Sequence, residues 1–209
     1  MKRKNKRLNQ LLLVLLFFSY MHAKEHKYLE YILQSEGKKI GKMTIDEKEN
    51  AYITRMKIDT SSFFFSFYYT YVEKSFYENN ELVSFEIIQN EDGKIKKVKA
   101  FKKNNSLVYS NETVLDIKGI DISPFKINKE FLAKNIEKKS FTIKTYDAFE
   151  AKILLEHYSL QNKNNKNYTF EVLNTRGEKE TRIYNKNAVL VYFENELFQA
   201  SLLKKGKYK

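Results

Sequence analysis

Residues 63–72 read FFFSFYYTYV. Wound as a helix, this run would be apolar nearly all round and would lack caps. In a strand, alternate residues share a face. Phe63, Phe65, Phe67, Tyr69 and Tyr71 then line one side without interruption, and Phe64, Ser66, Tyr68, Thr70 and Val72 the other. At 3.3 Å per residue that aromatic face is roughly 26 Å long. Each ring removes on the order of 150–250 Å² from water when covered, so a face of this size must be buried or occupied. Two readings follow. The five aromatics pack as a core strand, or they form the wall of a cavity for an elongated apolar ligand such as an acyl chain, with tyrosines at its mouth.

Outward from this stretch the period stays at two. Upstream runs lie at Tyr28–Gln34, Lys39–Asp46 and Tyr52–Ile58, and the aromatic run belongs to a fourth, Ser62–Glu73. Glu81–Gln89 and Lys94–Lys102 follow, separated by the turn pair Asp92-Gly93. Leu107–Tyr109 and Thr113–Ile117 are shorter. Six more runs come later: Ser140–Tyr146, Phe149–Leu155, Tyr168–Asn174, Lys179–Tyr184, Val189–Glu194 and Leu197–Leu203. One segment has a helical pattern. Ser123 can cap, Pro124 suits the first helical position, and Phe125, Leu132 and Ile136 recur near one face, predicting a helix over about 124–137. The fold class is therefore mainly β, a curved antiparallel sheet or partial barrel with one principal helix.

The first 23 residues read as an address. Lys2, Arg3, Lys4, Lys6 and Arg7 precede the apolar run Leu11–Phe18, and Ala23 ends a short polar region. This is the pattern of a secretory signal peptide cleaved after Ala23, leaving 24–209 as a single β-rich domain exported to the periplasm. The apolar run is shorter than the roughly 20 residues a spanning helix needs. The whole chain has 38 basic and 26 acidic residues, a formal charge of +12. Without the leader's five basic residues, 33 remain against the same 26, or +7. Outside the cytoplasm such a charge favours anionic membrane surfaces over nucleic acid.

Residues 94–103, KIKKVKAFKK, hold six lysines and no acid. When extended, Lys97, Lys99 and Lys103 share a face with Phe101, and Lys96 and Lys102 share the other with Val98 and Ala100. The five lysines Lys96, Lys97, Lys99, Lys102 and Lys103 form a basic surface. It is either a solvated strand protected against edge pairing or a contact for lipid phosphates.

The chain has no Cys and three His, of which His26 and His157 follow the leader. That composition argues against a zinc site. No nucleophile elbow, phosphate loop or dinucleotide fingerprint is present. Asp121 and Asp147 sit at element boundaries, where turn and cap roles explain them. The expectation is a non-enzymatic protein without a cofactor, binding a lipid or other apolar molecule. The alternative is an envelope interaction or assembly protein with a fully packed core and an unidentified protein partner. A hydrolase is a third reading, requiring a carboxylate pair formed in space.

Three short motifs carry a resemblance. Tyr28-x-x-Tyr31 is followed by Gly37-Lys38-Lys39-Ile40-Gly41-Lys42. Asp121-Ile122-Ser123 precedes the helical segment. Ile183-Tyr184-x-x-x-Ala188-Val189-Leu190-Val191 lies near the end. Together they resemble a group of uncharacterised exported bacterial proteins, with Tyr184 where a tryptophan is common in that group. The resemblance implies a fold and a compartment and no activity. The architecture is also similar to the half-barrel of periplasmic lipoprotein carriers, an analogy that concerns shape alone.

Overall fold

The computed structural model describes residues 26–48, 50–61, 66–79, 81–118 and 129–208. The leader, Phe63, Phe65, Asp121 and residues 124–128 of the expected helix lie outside them. Fourteen strands appear where fourteen runs were read. They are β1 (His26–Ser35), β2 (Lys38–Lys48), β3 (Ala51–Ser61), β4 (Ser66–Glu78), β5 (Glu81–Glu91), β6 (Lys94–Lys103) and β7 (Ser106–Tyr109). Then follow β8 (Val114–Asp116), β9 (Ser140–Asp147), β10 (Lys152–Lys163), β11 (Asn167–Asn174), β12 (Lys179–Asn185), β13 (Leu190–Glu194) and β14 (Gln199–Tyr208). All join one antiparallel sheet ordered β8-β7-β6-β5-β4-β3-β2-β1-β14-β13-β12-β11-β10-β9. Every neighbour is the next strand in sequence except β1 and β14, which pair and join two meanders into one curved surface. The ends β8 and β9 are not paired as strands, yet Tyr146 and Ala148 of the β9 end pack with Leu107, Tyr109 and Leu115. The Lys144 ammonium donates to the Lys118 carbonyl at 3.1 Å across the same gap.

Among the described residues the expected helix is present as α1 (Lys129–Asn135), ending two residues before 137. Leu132 and the following Ile136 pack with Ile143, Tyr158, Phe170 and Tyr184 on the inner face of β9–β12. That packing anchors the helix to the sheet.

Local chemistry accounts for the turns. Asp92 (φ 46°) and Gly93 (φ 86°) both adopt left-handed backbone, as the tight hairpin requires, and the Asn90 carboxamide accepts from Gly93 N–H at 2.9 Å. The tenth strand begins three residues later than its sequence pattern. The Asp147 carboxylate accepts from both Phe149 and Glu150 N–H at 2.7 Å, folding 148–151 into a turn. A buried aromatic group defines the β9–β12 half. Phe141 stacks on Tyr158 with centroids 4.7 Å apart, and Phe170, fully buried, meets Phe141, Tyr158 and Tyr184 edge-on.

Gly41, the glycine of the Ile-Gly motif, has a steric cause. A Cβ there would lie 2.0 Å from the Lys57 carbonyl oxygen of the adjacent strand. Gly41→Ala is expected to force β2 and β3 apart and lower stability by about 2–3 kcal/mol, in the range of overpacked cores. Urea unfolding checks this; an unchanged midpoint would show that the strands separate at no cost.

Candidate functional site

The register places the aromatic run on the inside of the sheet. Met43, Met56, Tyr71 and Gln89 are successive cross-strand partners, as are Gly41, Ile58, Tyr69 and Glu91. Phe67, Tyr69 and Tyr71 therefore share the inner face with the buried Tyr31, Leu33 and Ile58. Phe67 and Tyr69 are half-buried, with rings stacked at 6.3 Å. An open depression of about 260 Å³ is lined by Lys39, Ile40, Gly41, Lys42, Lys57 and Asp59; Lys42, Lys57 and Asp59 alternate to the outer face, where the Lys57 ammonium lies 5.4 Å from the Tyr68 ring centroid. Tyr71 is more enclosed, its ring 6.5 Å from Phe149 of the β9–β10 turn. Phe63 and Phe65 fall outside the described residues.

The same face continues beyond the aromatics in a way the sequence reading did not use. Alternation carries Glu73 and Ser75 inward after Tyr71, then Tyr77. Glu73 is 5% exposed and Ser75 is fully buried. The Tyr71 hydroxyl donates to Glu73 Oε2 at 2.8 Å. Among the described residues, Glu73 Oε1, Ser75 Oγ, Tyr109 Oη and Thr145 Oγ1 have no hydrogen-bond partner. Ser75, Phe85, Ala100 and Tyr109 are successive cross-strand partners, so two of these atoms belong to one transverse row. Burial pushes the Glu73 carboxyl up to about 8, opposed by the Tyr71 hydrogen bond. Burial also raises the Tyr109 hydroxyl, to about 12, with the Asp147 charge adding to it.

A second polar group lies on the inner face of β10–β12. The Arg182 guanidinium donates to both oxygens of Glu156, at 3.1 and 2.9 Å, and its Nε donates to Glu180 at 2.8 Å. It also donates to the Tyr158 hydroxyl, which itself donates to Glu156 Oε2 at 3.0 Å. Burial raises the Tyr158 hydroxyl well above its ordinary value and raises that of Tyr184 as well. In the chain Glu156 directly precedes His157. The alternation of β10 puts Glu156 inside, and His157 is oriented outward beside Thr142, Nδ1 to Oγ1 3.2 Å.

The five lysines do not form one surface. Lys97, Lys99 and Lys103 are exposed on the outer face with Phe101. Lys96 and Lys102 belong to the inner side by register, opposite Gln89 and Leu107, and Lys102 pairs with Glu81. Among the described residues, β6 from Lys94 to Val98 has a strand neighbour on one side alone, because β7 pairs with Ala100–Lys103. Among the described residues no group of three or more His, Cys, Asp or Glu could hold a metal ion, and no helix is long and apolar enough to cross a membrane.

These features define a β-barrel-like protein, an open curved sheet whose inner face mixes aromatic rings with a few buried polar groups. The chain belongs to DUF6134, a domain of unknown function whose family model matches residues 31–197. No curated protein matches it. Among solved structures it is similar to a β-barrel-like protein of a domain of unknown function, DUF1849, from Brucella abortus. That match has 13% identity and a TM-score of 0.59, covering 88% of this chain and 98% of the other. A DUF1089 family protein from Pseudomonas aeruginosa aligns at 9% identity and a TM-score of 0.48, covering 72% of this chain and 86% of the other. The first likeness shows the fold alone.

Proposed function

We propose that this is an exported periplasmic protein that binds a lipid or other apolar molecule on the inner face of its sheet, without catalysis. The observation that carries the reading is the half-buried Phe67–Tyr69 stack, which shares the inner face of the sheet with Tyr31, Leu33 and Ile58 and is incompletely covered there. Rings supply the apolar area that such a ligand would cover. The leader and the cleavage after Ala23 belong to the same proposal.

The test is native mass spectrometry of protein recovered from the envelope, with and without added phospholipid. The expected result is a discrete adduct that disappears on denaturation and resolves into lipid species. Phe67→Ala with Tyr69→Ala should reduce its retention at least tenfold. A bare mass for the parent protein at saturating phospholipid would reject the reading.

A second reading is an envelope assembly protein with a wholly packed interior. The close packing of Phe85, Tyr109 and Tyr146 around Ala100 favours it. It predicts that Phe67→Ala and Tyr69→Ala change stability alone, and that crosslinkers on the half-paired edge of β6 capture a protein.

A further inference from the structure

The outer face of β4–β8 carries an apolar row that no interior argument explains. Phe76, Ser84, Phe101, Val108 and Val114 are successive cross-strand partners, so they line up transversely across five strands. Phe76 is 46% exposed, Phe101 52% and Val114 62%; Ile95, at 61%, lies further along the same face of β6. Singly scattered apolar residues on a surface are ordinary, but a contiguous set marks an interaction site. The flanking positions are basic. Lys74, Lys97, Lys99 and Lys103 project from the same face, against the acidic Glu86 and Asp116. None of these four lysines is in a salt bridge among the described residues.

We infer that this outer face docks on an anionic lipid surface, with Phe76, Phe101 and Val114 entering the headgroup boundary and Lys97, Lys99 and Lys103 on lipid phosphates. The charge pattern selects this occupant. Apolar side chains ringed by unpaired lysines match a surface that is apolar beneath and negative above, which needs no shape-complementary protein. Each insertion alone is weak, and the combination of apolar and electrostatic contacts gives stable attachment. The inference is independent of the interior ligand, because the strand pleat turns these residues away from Phe67 and Tyr69.

Vesicle flotation tests it, using protein purified from cells expressing the full-length chain, with its N-terminus established by mass. Vesicles of phosphatidylglycerol and phosphatidylcholine should carry the protein; pure phosphatidylcholine should carry far less, and high salt should narrow the difference. Lys97→Glu with Lys99→Glu should weaken binding to the anionic vesicles at least tenfold, each lysine near such a surface being worth about fivefold. Phe76→Ser with Phe101→Ser should weaken binding to a similar degree. The exposed Leu197→Ser, outside this face, should leave it unchanged. Circular dichroism confirms that each variant folds, and phospholipid retention by native mass spectrometry separates this face from the interior. Equal binding of parent and both double variants would overturn the inference. So would a parent that floats with neither vesicle, or one whose outer row instead mediates a dimer lost in Phe76→Ser with Phe101→Ser.

Discussion

Replacing Arg182 by Met is expected to lower stability by about 3 kcal/mol or more, the range for breaking a buried ion pair by removing one partner. The side chains of Arg182, Glu156 and Glu180 are 16%, 14% and 17% exposed, so water reaches them only at the edge. Arg182 satisfies both oxygens of Glu156 and one of Glu180. Its removal leaves two carboxylates on the inner face with no guanidinium between them. The companion variant, Arg182→Met with Glu156→Gln and Glu180→Gln, removes the uncompensated charges. It should recover most of the loss, since replacing a whole buried ionic group is often neutral. Chemical denaturation of the three proteins checks the set. A single variant as stable as its parent would mean that solvent screens this group fully.

The second large effect concerns Glu73. Its carboxyl rises to about 8 in the folded protein because burial disfavours the charge, against an ordinary 4.5. The folded state therefore holds a proton that the unfolded state has released between those values. Stability is fully present below about 4.5, declines as pH rises through the window, and levels off above about 8. The expected cost by pH 8 is a few kcal/mol, since each unit of displacement corresponds to about 1.4 kcal/mol. Glu73→Gln keeps the shape and the bond from Tyr71 and cannot ionise, so its stability should be flat across that range. Thermal or urea unfolding of both proteins from pH 5 to pH 9 decides it. Parallel curves would show that Glu73 is charged and solvated in the folded protein.

Much of the architecture was legible in the sequence. Alternation identified all fourteen strands, because one face of each is buried and a slip of one residue would exchange faces. The Asp92-Gly93 turn and the Asp147 cap were equally readable, since each acts through its own backbone. The inward direction of Phe67, Tyr69 and Tyr71 followed from the same period. Glu73 and Ser75 lie on that very face, two and four residues past Tyr71, and extending the alternation reaches both.

Other features exist only in the folded sheet. Glu156 and Arg182 are 26 residues apart and meet because β10 and β12 flank β11. Phe76 and Val114 join one outer row through four successive strand pairings, a sum of registers that no local pattern encodes. Alternation already divided the six-lysine run between two faces, and only the fold decided that Lys97, Lys99 and Lys103 take the outer one. What α1 packs on was set by the fold, because Leu132 and Ile136 meet Ile143, Tyr158 and Phe170 from three separate strands. Local periodicity determined which face of each strand is apolar. Register and curvature decided which of those faces meet, and so where the buried carboxyls and the exposed apolar row lie.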